Sequence, residues 1–231
     1  MNVDDGNLKS NPLQRKDGRL NTQMQEIFMK KGLKKDASSS VYIETNHLKL
    51  LCSVNGPIYL TNIPKSKSDD ASKMNVEVKL HVPSYYLDQH LPMNRNLIET
   101  QLEDLFSRNI LVEKYARTKL IINLEIFEIS CDILPYAIMG ICLALNDANV
   151  EQKGIITCSN VVISNGNLLV DPTFEEEKMA DFKLIFGCNM DYQENNVFLQ
   201  KGNLEEAEYK KVLGTSIKIC DVFHNYIISK M

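Results

Sequence analysis

The chain has 231 residues and a net charge of −4, from 26 basic and 30 acidic side chains. That length favours one large domain over two small ones. The charge excludes a free-standing nucleic-acid binder of the usual kind, whose affinity comes largely from a basic excess that neutralises phosphates, so any contact with RNA must borrow positive field from other chains.

Residues 1–14 are polar, with Asn, Asp, Gly and Pro, and read as a flexible arm. A polar loop over 34–40 precedes Val41–Val54, whose Val, Ile, Leu and Tyr predict two paired strands turning near Asn46-His47. Asn55-Gly56-Pro57 is expected to stop that pattern, and 61–73 reads as a solvated loop of Lys, Ser and Asp. Met74, Val76, Val78, Leu80 and Val82 alternate with polar residues and predict a strand. Residues 94–110 predict an amphipathic helix with Leu97, Ile98, Leu102, Leu105 and Phe106 on one face. Leu120–Ile129 alternates again, and Leu134–Ala148, apolar almost all round, suits a helix buried against a sheet. Ile155–Ile163 and Leu168–Val170 flank the hairpin signal Ser164-Asn165-Gly166-Asn167. A further hairpin over 181–201 leads to a helix from about Leu204 to Ile228, with Leu213, Ile217, Cys220 and Ile227 on its buried face. Strands, helix, strand, helix, strands, helix is the order of an α+β domain, here expected as one domain over 15–231.

Cys52, Cys131, Cys142, Cys158, Cys188 and Cys220 form no C-x-x-C pair, and several sit in apolar runs such as Ile141-Cys142-Leu143. This predicts buried, reduced thiols in an intracellular protein and argues against a disulfide framework or zinc site. The four histidines lack ligand spacing, so neither metal nor other cofactor is expected. Met1–Ser10 is too polar for a signal peptide, and no apolar run approaches the roughly 20 residues that span a bilayer. A soluble chain without a membrane partner is the expectation.

Several segments in order resemble the RNase PH family, to which the ring subunits of the RNA exosome belong. Arg15-Lys16-Asp17-Gly18-Arg19 is similar to the family's R-P-D-G-R opening, with Lys16 in place of proline. Ser40-Val41-Tyr42-Ile43-Glu44 through Leu51-Cys52-Ser53-Val54-Asn55-Gly56-Pro57 resembles its G-S-A-Y-V-E…K-V-L-C-S-V-Y-G-P hairpin. Glu113-Lys114-Tyr115-Ala116-Arg117 resembles E-K-Y-P-R, and Leu143-Ala144-Leu145-Asn146-Asp147-Ala148 resembles L-A-L-A-D-A. Leu169-Val170-Asp171-Pro172-Thr173-Phe174-Glu175-Glu176-Glu177 resembles L-L-D-P-T-x-E-E-E. The resemblance implies an RNase PH-like fold (ribosomal protein S5 domain 2-like), with mixed sheets packed with helices.

Active members of that family cut RNA from its 3′ end with inorganic phosphate as nucleophile. Phosphate needs a cradle of N–H groups, a hydroxyl and an arginine, found in a stretch resembling L-Q-A-D-G-G-T-R. The ungapped match here is Phe127-Glu128-Ile129-Ser130-Cys131-Asp132-Ile133-Leu134, which sets Asp132 on the last glycine, Ile133 on the threonine and Leu134 on the arginine. Isoleucine and leucine donate no hydrogen bond, and an aspartate repels phosphate by about 4 kcal/mol at 4 Å and an effective dielectric near 20. On the acidic side, active members carry two aspartates six apart; here Glu176 and Asp181 take those places at a shorter spacing. Glu175–Glu177 otherwise reads as a solvated acidic loop. These substitutions imply a degenerate phosphate site, a vestigial acidic site and no catalytic residues.

Arg95, Arg108, Arg117 and Lys119 are the basic residues expected to contact RNA, with Lys65 and Lys67 beside them. Arg117 has the alternative of an internal ion pair, and Asp17 and Arg19 are expected to tie the N-terminal arm to the fold. Tyr85-Tyr86 offers either base stacking or packing on a neighbour. The resemblance implies an inactive ring subunit of the eukaryotic exosome, in nucleus, nucleolus and cytoplasm. Its implied partners are other RNase PH-like subunits, cap subunits, an attached catalytic nuclease and single-stranded RNA. Two rivals stay open: an active phosphorolytic exoribonuclease, and a binding module outside the exosome that reuses the fold.

Overall fold

The alternating stretches pair as strands, and the pairing settles the layout. A computed structural model describes residues 15–60, 72–87, 94–192 and 194–231, without the side chains of Tyr85 and Leu87. The expected arm over 1–14 and the loop residues 61–71, Lys65 and Lys67 included, lie outside the described residues. Strands β1 (Phe28–Lys31), β2 (Ser39–Glu44), β3 (Leu48–Tyr59), β4 (Asn75–His81) and β5 (Thr118–Ile129) make a sheet in the order β1-β2-β3-β5-β4. Strands β6 (Ile156–Ser164), β7 (Asn167–Val170), β8 (Phe182–Asn189) and β9 (Glu194–Lys201) make a second sheet in the order β7-β6-β8-β9. Among the described residues, only β4 and β5 pair in parallel. A parallel pair needs a long crossover, and the helix α2 (Arg95–Asn109), after the short α1 (Ser84–Leu87), supplies it by packing on β4.

Helix α3 (Leu134–Asp147) fills the space between the sheets, touching β2 and β3 on one side and β6 on the other. Every residue from Leu134 to Leu145 is buried, as its apolar circumference requires. Pro135 falls in the first turn, where a missing N–H breaks no helical hydrogen bond. A β-carbon on Gly140 would lie 3.1 Å from Ile43 Cδ1 and 3.3 Å from Cys52 Cβ, so the helix backbone rests almost directly on the first sheet. Beyond the second sheet, α4 (Phe174–Lys178) caps β6 and α5 (Glu206–Ile228) covers β6 and β8. The β6–β7 turn is a two-residue hairpin with Asn165 at φ 50° and Gly166 at φ 73°, the geometry that an Asn-Gly pair supplies. All six cysteines are free and buried. No helix among the described residues is long and apolar enough to cross a membrane.

Three expectations need correction, and one strand was missed. Strand β3 does not stop at Asn55-Gly56-Pro57; it is irregular between Asn55 and Ile58 and then pairs Ile58 and Tyr59 with Lys119 and Thr118. Strand β1 was not expected, because Phe-Met-Lys-Lys carries too little alternation to be read without its β2 neighbour. Leu97 is 49% exposed, since the buried face of α2 runs through Ile98, Leu102, Leu105, Phe106 and Asn109. Ile217 is 43% exposed because α5 is turned to bury Val212, Ser216, Ile219, Cys220, Phe223 and Ile227. Substituting Gly140→Val adds a branched side chain where α3 meets Ile43 and Cys52. We expect it to cost about 1–3 kcal/mol, measured as a lowered midpoint in urea denaturation with an unchanged slope.

Candidate functional site

Asp132, Ile133 and Leu134 stand where β5 hands over to α3, and they are 5%, 3% and 2% exposed. Asp132 Oδ1 accepts the Leu134 N–H at 3.0 Å, so a donor that the start of a helix leaves free is taken by the chain itself. Asp132 Oδ2 accepts Lys183 Nζ at 2.8 Å, and the same ammonium donates to Glu177 Oε2 at 2.8 Å. Glu177 Oε1 in turn accepts Asn160 Nδ2 at 2.6 Å. Burial pushes the Glu177 carboxyl up, and Asp132 adds to it. Burial works to lower Lys183, but Asp132 and Glu177 outweigh it and hold the ammonium above its ordinary value. The Coulomb argument against phosphate therefore needs revision: Lys183 compensates Asp132, and what closes this position is burial and occupied hydrogen bonds.

The opening motif and the acidic stretch meet across the chain. The Arg15 guanidinium donates to both carboxylate oxygens of Glu176, and to the carbonyls of Val170 (2.7 Å) and Asp171 (3.1 Å). Glu176 Oε2 also accepts the Thr173 N–H at 2.8 Å, completing a capping box at the start of α4. Burial alone would raise Glu176, but Arg15 and the Thr173 N–H hold its carboxyl below the ordinary value. Arg19 donates to Asp17 at 2.7 Å and to the Asp171 carbonyl at 3.1 Å. Asp171 is held at φ 52°, with its carboxylate accepting the Tyr136 hydroxyl and the Gln25 N–H; burial raises its pKa. Glu175–Glu177 is thus no solvated loop. Only Glu175 lies fully at the surface, paired with Lys16 at 2.8 Å.

A cleft of about 510 Å³ opens beside this network, lined among others by Asp17, His47, Ser130, Phe174 and Met179. Asp17 Oδ2 lies 3.3 Å from His47 Nε2, and His47 Nδ1 lies 3.1 Å from Ser130 Oγ. This is the order of a nucleophile–base–acid relay. Its parts are otherwise engaged, however: Asp17 binds Arg19, and the Ser130 hydroxyl donates to the His47 carbonyl at 3.2 Å. The array fastens three loops together.

Asp181 is exposed just before β8 and donates its backbone N–H to Ile163 at 2.9 Å. Glu176 is held by Arg15 and the Thr173 N–H, and the carboxylates that share one cation are Asp132 and Glu177, a pairing not expected from the sequence. Arg95 pairs with Glu99 at 3.1 Å. Arg108 binds the Asp104 carbonyl at 3.1 Å and lines a cleft of about 170 Å³ with Leu134, Ile138 and Asn196. Arg95 and Arg108 sit at opposite ends of α2, roughly 20 Å apart at 1.5 Å per residue. Lys119 pairs with Glu77. Arg117 is exposed, at φ 57°, and makes no ion pair among the described residues. Among the described residues, no group of three or more His, Cys, Asp or Glu side chains is placed to hold a metal ion.

The profile of the 3′ exoribonuclease family, domain 1, matches residues 23–151, and that of domain 2 matches residues 154–219. The chain belongs to the RNase PH 3′ exoribonuclease family. Its similarity to a putative exosome complex component RRP41 of Caenorhabditis elegans is 29% identity over 172 residues, covering 70% of this chain and 68% of the relative. The exosome complex component Rrp41 of Methanopyrus kandleri is 22% identical over 214 residues, covering 91% and 88% of the two chains. The crystal structure of rice Rrp46 superposes with a TM-score of 0.79 at 16% identity, over 94% of this chain and 99% of that one. A chain of an archaeal exosome core gives 0.71 at 14% identity, over 93% and 91%. The RNase PH fold expected from the motifs is the fold observed. Lys183 and Asn160 went unremarked in the sequence. The one available signal was a lysine interrupting the apolar run Phe182–Cys188.

Lys183→Met should leave Asp132 and Glu177 without their cation and cost about 3–5 kcal/mol. That deficit should shrink as the pH falls from neutral to mildly acidic, because Glu177 can then take up a proton; urea titrations at both pH values check this. Glu176→Gln should destabilise at neutral pH. The native Glu176 contributes stability above its unfolded pKa and loses it as the pH falls through the depressed folded value, so wild type and variant should converge in strong acid.

Proposed function

We propose that the chain is a non-catalytic structural subunit of the RNA exosome ring, supporting 3′-to-5′ RNA processing and degradation and helping to guide single-stranded RNA. One observation carries this reading: the Asp132–Leu134 position is buried, with Asp132 tied to the Leu134 N–H and to Lys183. That leaves no arginine, hydroxyl or open donor for inorganic phosphate. Within the family, the retained Asp17-Gly18-Arg19 and Leu169–Glu177 segments favour an inactive subunit of the mRNA-transport-regulator type. Relatives named as exosome components support partners of the same fold; cap subunits, a separate nuclease and residence in nucleus, nucleolus and cytoplasm are part of the proposal. Exposed Phe28, Tyr59, Leu97 and Phe198 are apolar surface that such neighbours would cover. Arg95, Arg108, Arg117 and Lys119 are the residues offered to RNA, with Arg117 the least engaged. Residues 15–231 act as one folding unit in this reading, supported by an apolar cluster that runs from the first sheet to the second.

The purified chain, given single-stranded RNA and inorganic phosphate, should release no nucleoside diphosphate, and the tagged chain should co-purify with other exosome subunits. Phosphate-dependent release by the chain alone would return the active-enzyme reading. A stable monomer or homo-oligomer without exosome partners would favour a binding module outside the complex.

A further inference from the structure

Helix α5 carries a second chemistry-bearing contact, on the face of β8 opposite Lys183. On β8, Phe182 meets Tyr209 of α5 edge-on with ring centroids 6.4 Å apart. Residues alternating with Phe182 along the strand therefore face α5, and Cys188 is among them. From α5, the Cys220 thiol reaches down to the carbonyls of Phe186 at 3.6 Å and Thr157 at 3.8 Å. Phe186 lies two residues before Cys188, and Thr157 is its cross-strand partner. Cys220 thus sits over the backbone around Cys188, on the face of the sheet to which Cys188 also points. On its other side, the Cys188 sulfur touches Met190 Sδ at 3.3 Å.

The six thiols are not equivalent. Burial raises Cys52, Cys131, Cys142 and Cys158, which keeps them as thiols, and it is the thiolate that reacts. Cys188 is moved the other way by the hydrogen bond from Cys220. The pair has a donor that steadies a thiolate on β8 and a second sulfur beside it to resolve an oxidised product.

We propose that Cys188 and Cys220 form a peroxide-oxidisable dithiol that, once oxidised, staples α5 to the second sheet. The Cys188 thiolate attacks the terminal oxygen of a hydroperoxide, breaking the O–O bond and releasing water or an alcohol, and becomes a sulfenic acid. The Cys220 sulfur then displaces that oxygen as water, giving the Cys188–Cys220 disulfide. Two electrons pass from the two sulfurs to the peroxide, and the two thiol protons end in the products. The bond closes the chain from β8 through β9 to the middle of α5, a loop long enough for such a crosslink to restrict the unfolded chain appreciably.

The test treats the reduced, purified chain with hydrogen peroxide and takes its intact mass without reductant. The mass should fall by two hydrogens, and peptide mapping without reductant should join the Cys188 peptide to the Cys220 peptide. Cys220→Ser should abolish the crosslink and leave Cys188 trapped as a sulfenic acid by dimedone. Cys188→Ser should abolish both products. A wild-type chain that gains only oxygen, on Met190 or elsewhere, overturns the proposal. So does a crosslink joining a different pair, such as Cys52 and Cys142.

Discussion

Everything in this fold is arranged around a helix that has no side for water. From Leu134 to Leu145, α3 is buried on every face, so it is stable only when sheets close on it from both directions. Gly140 brings its backbone to the first sheet, and Cys142 Sγ reaches the Ile156 carbonyl of the second at 3.5 Å. The requirement fixes the positions of both sheets, and with them the ends of the strands that feed polar residues toward the start of α3.

At that start the helix terminus is satisfied internally. Asp132 occupies the Leu134 N–H, Lys183 neutralises Asp132, and Glu177 and Asn160 complete a polar chain under the surface. A buried charge is tolerated only when paired and hydrogen-bonded. Once Asp132 was present, a cation from the second sheet became a structural need. The start of α3 is thereby a structural cluster, with a lysine held by two carboxylates below the surface.

The sequence was most legible where one physical rule acts alone. Alternation gave β4 and β5, β-rich composition and turn signals gave β2, β6 and β8, and the all-apolar stretch gave α3 with its bounds nearly right. The faces of α2 and α5 were read less well, because Leu97 and Ile217 fit a helical period while the neighbouring sheet picks a face rotated away from them. Asp132, Ile133 and Leu134 could be located by motif, but Lys183 could not, since its role depends on β8 lying across the sheet interior from α3. The same holds for Arg15 and Glu176, which are separated by 161 residues and meet only through tertiary structure.

That separation has a temporal side. The partners of Arg15 belong to Val170, Asp171 and Glu176, so while the ribosome is still making the middle of the chain, this arginine has nothing to bind. At about 5–20 residues per second the wait is on the order of ten to thirty seconds. The first sheet can pair during that time and receive α3, but the side of α3 turned to the second sheet stays uncovered until β6 emerges. In a newborn chain these contacts therefore form late, when the segment around Asp171 reaches the arginines and β6 covers the apolar helix.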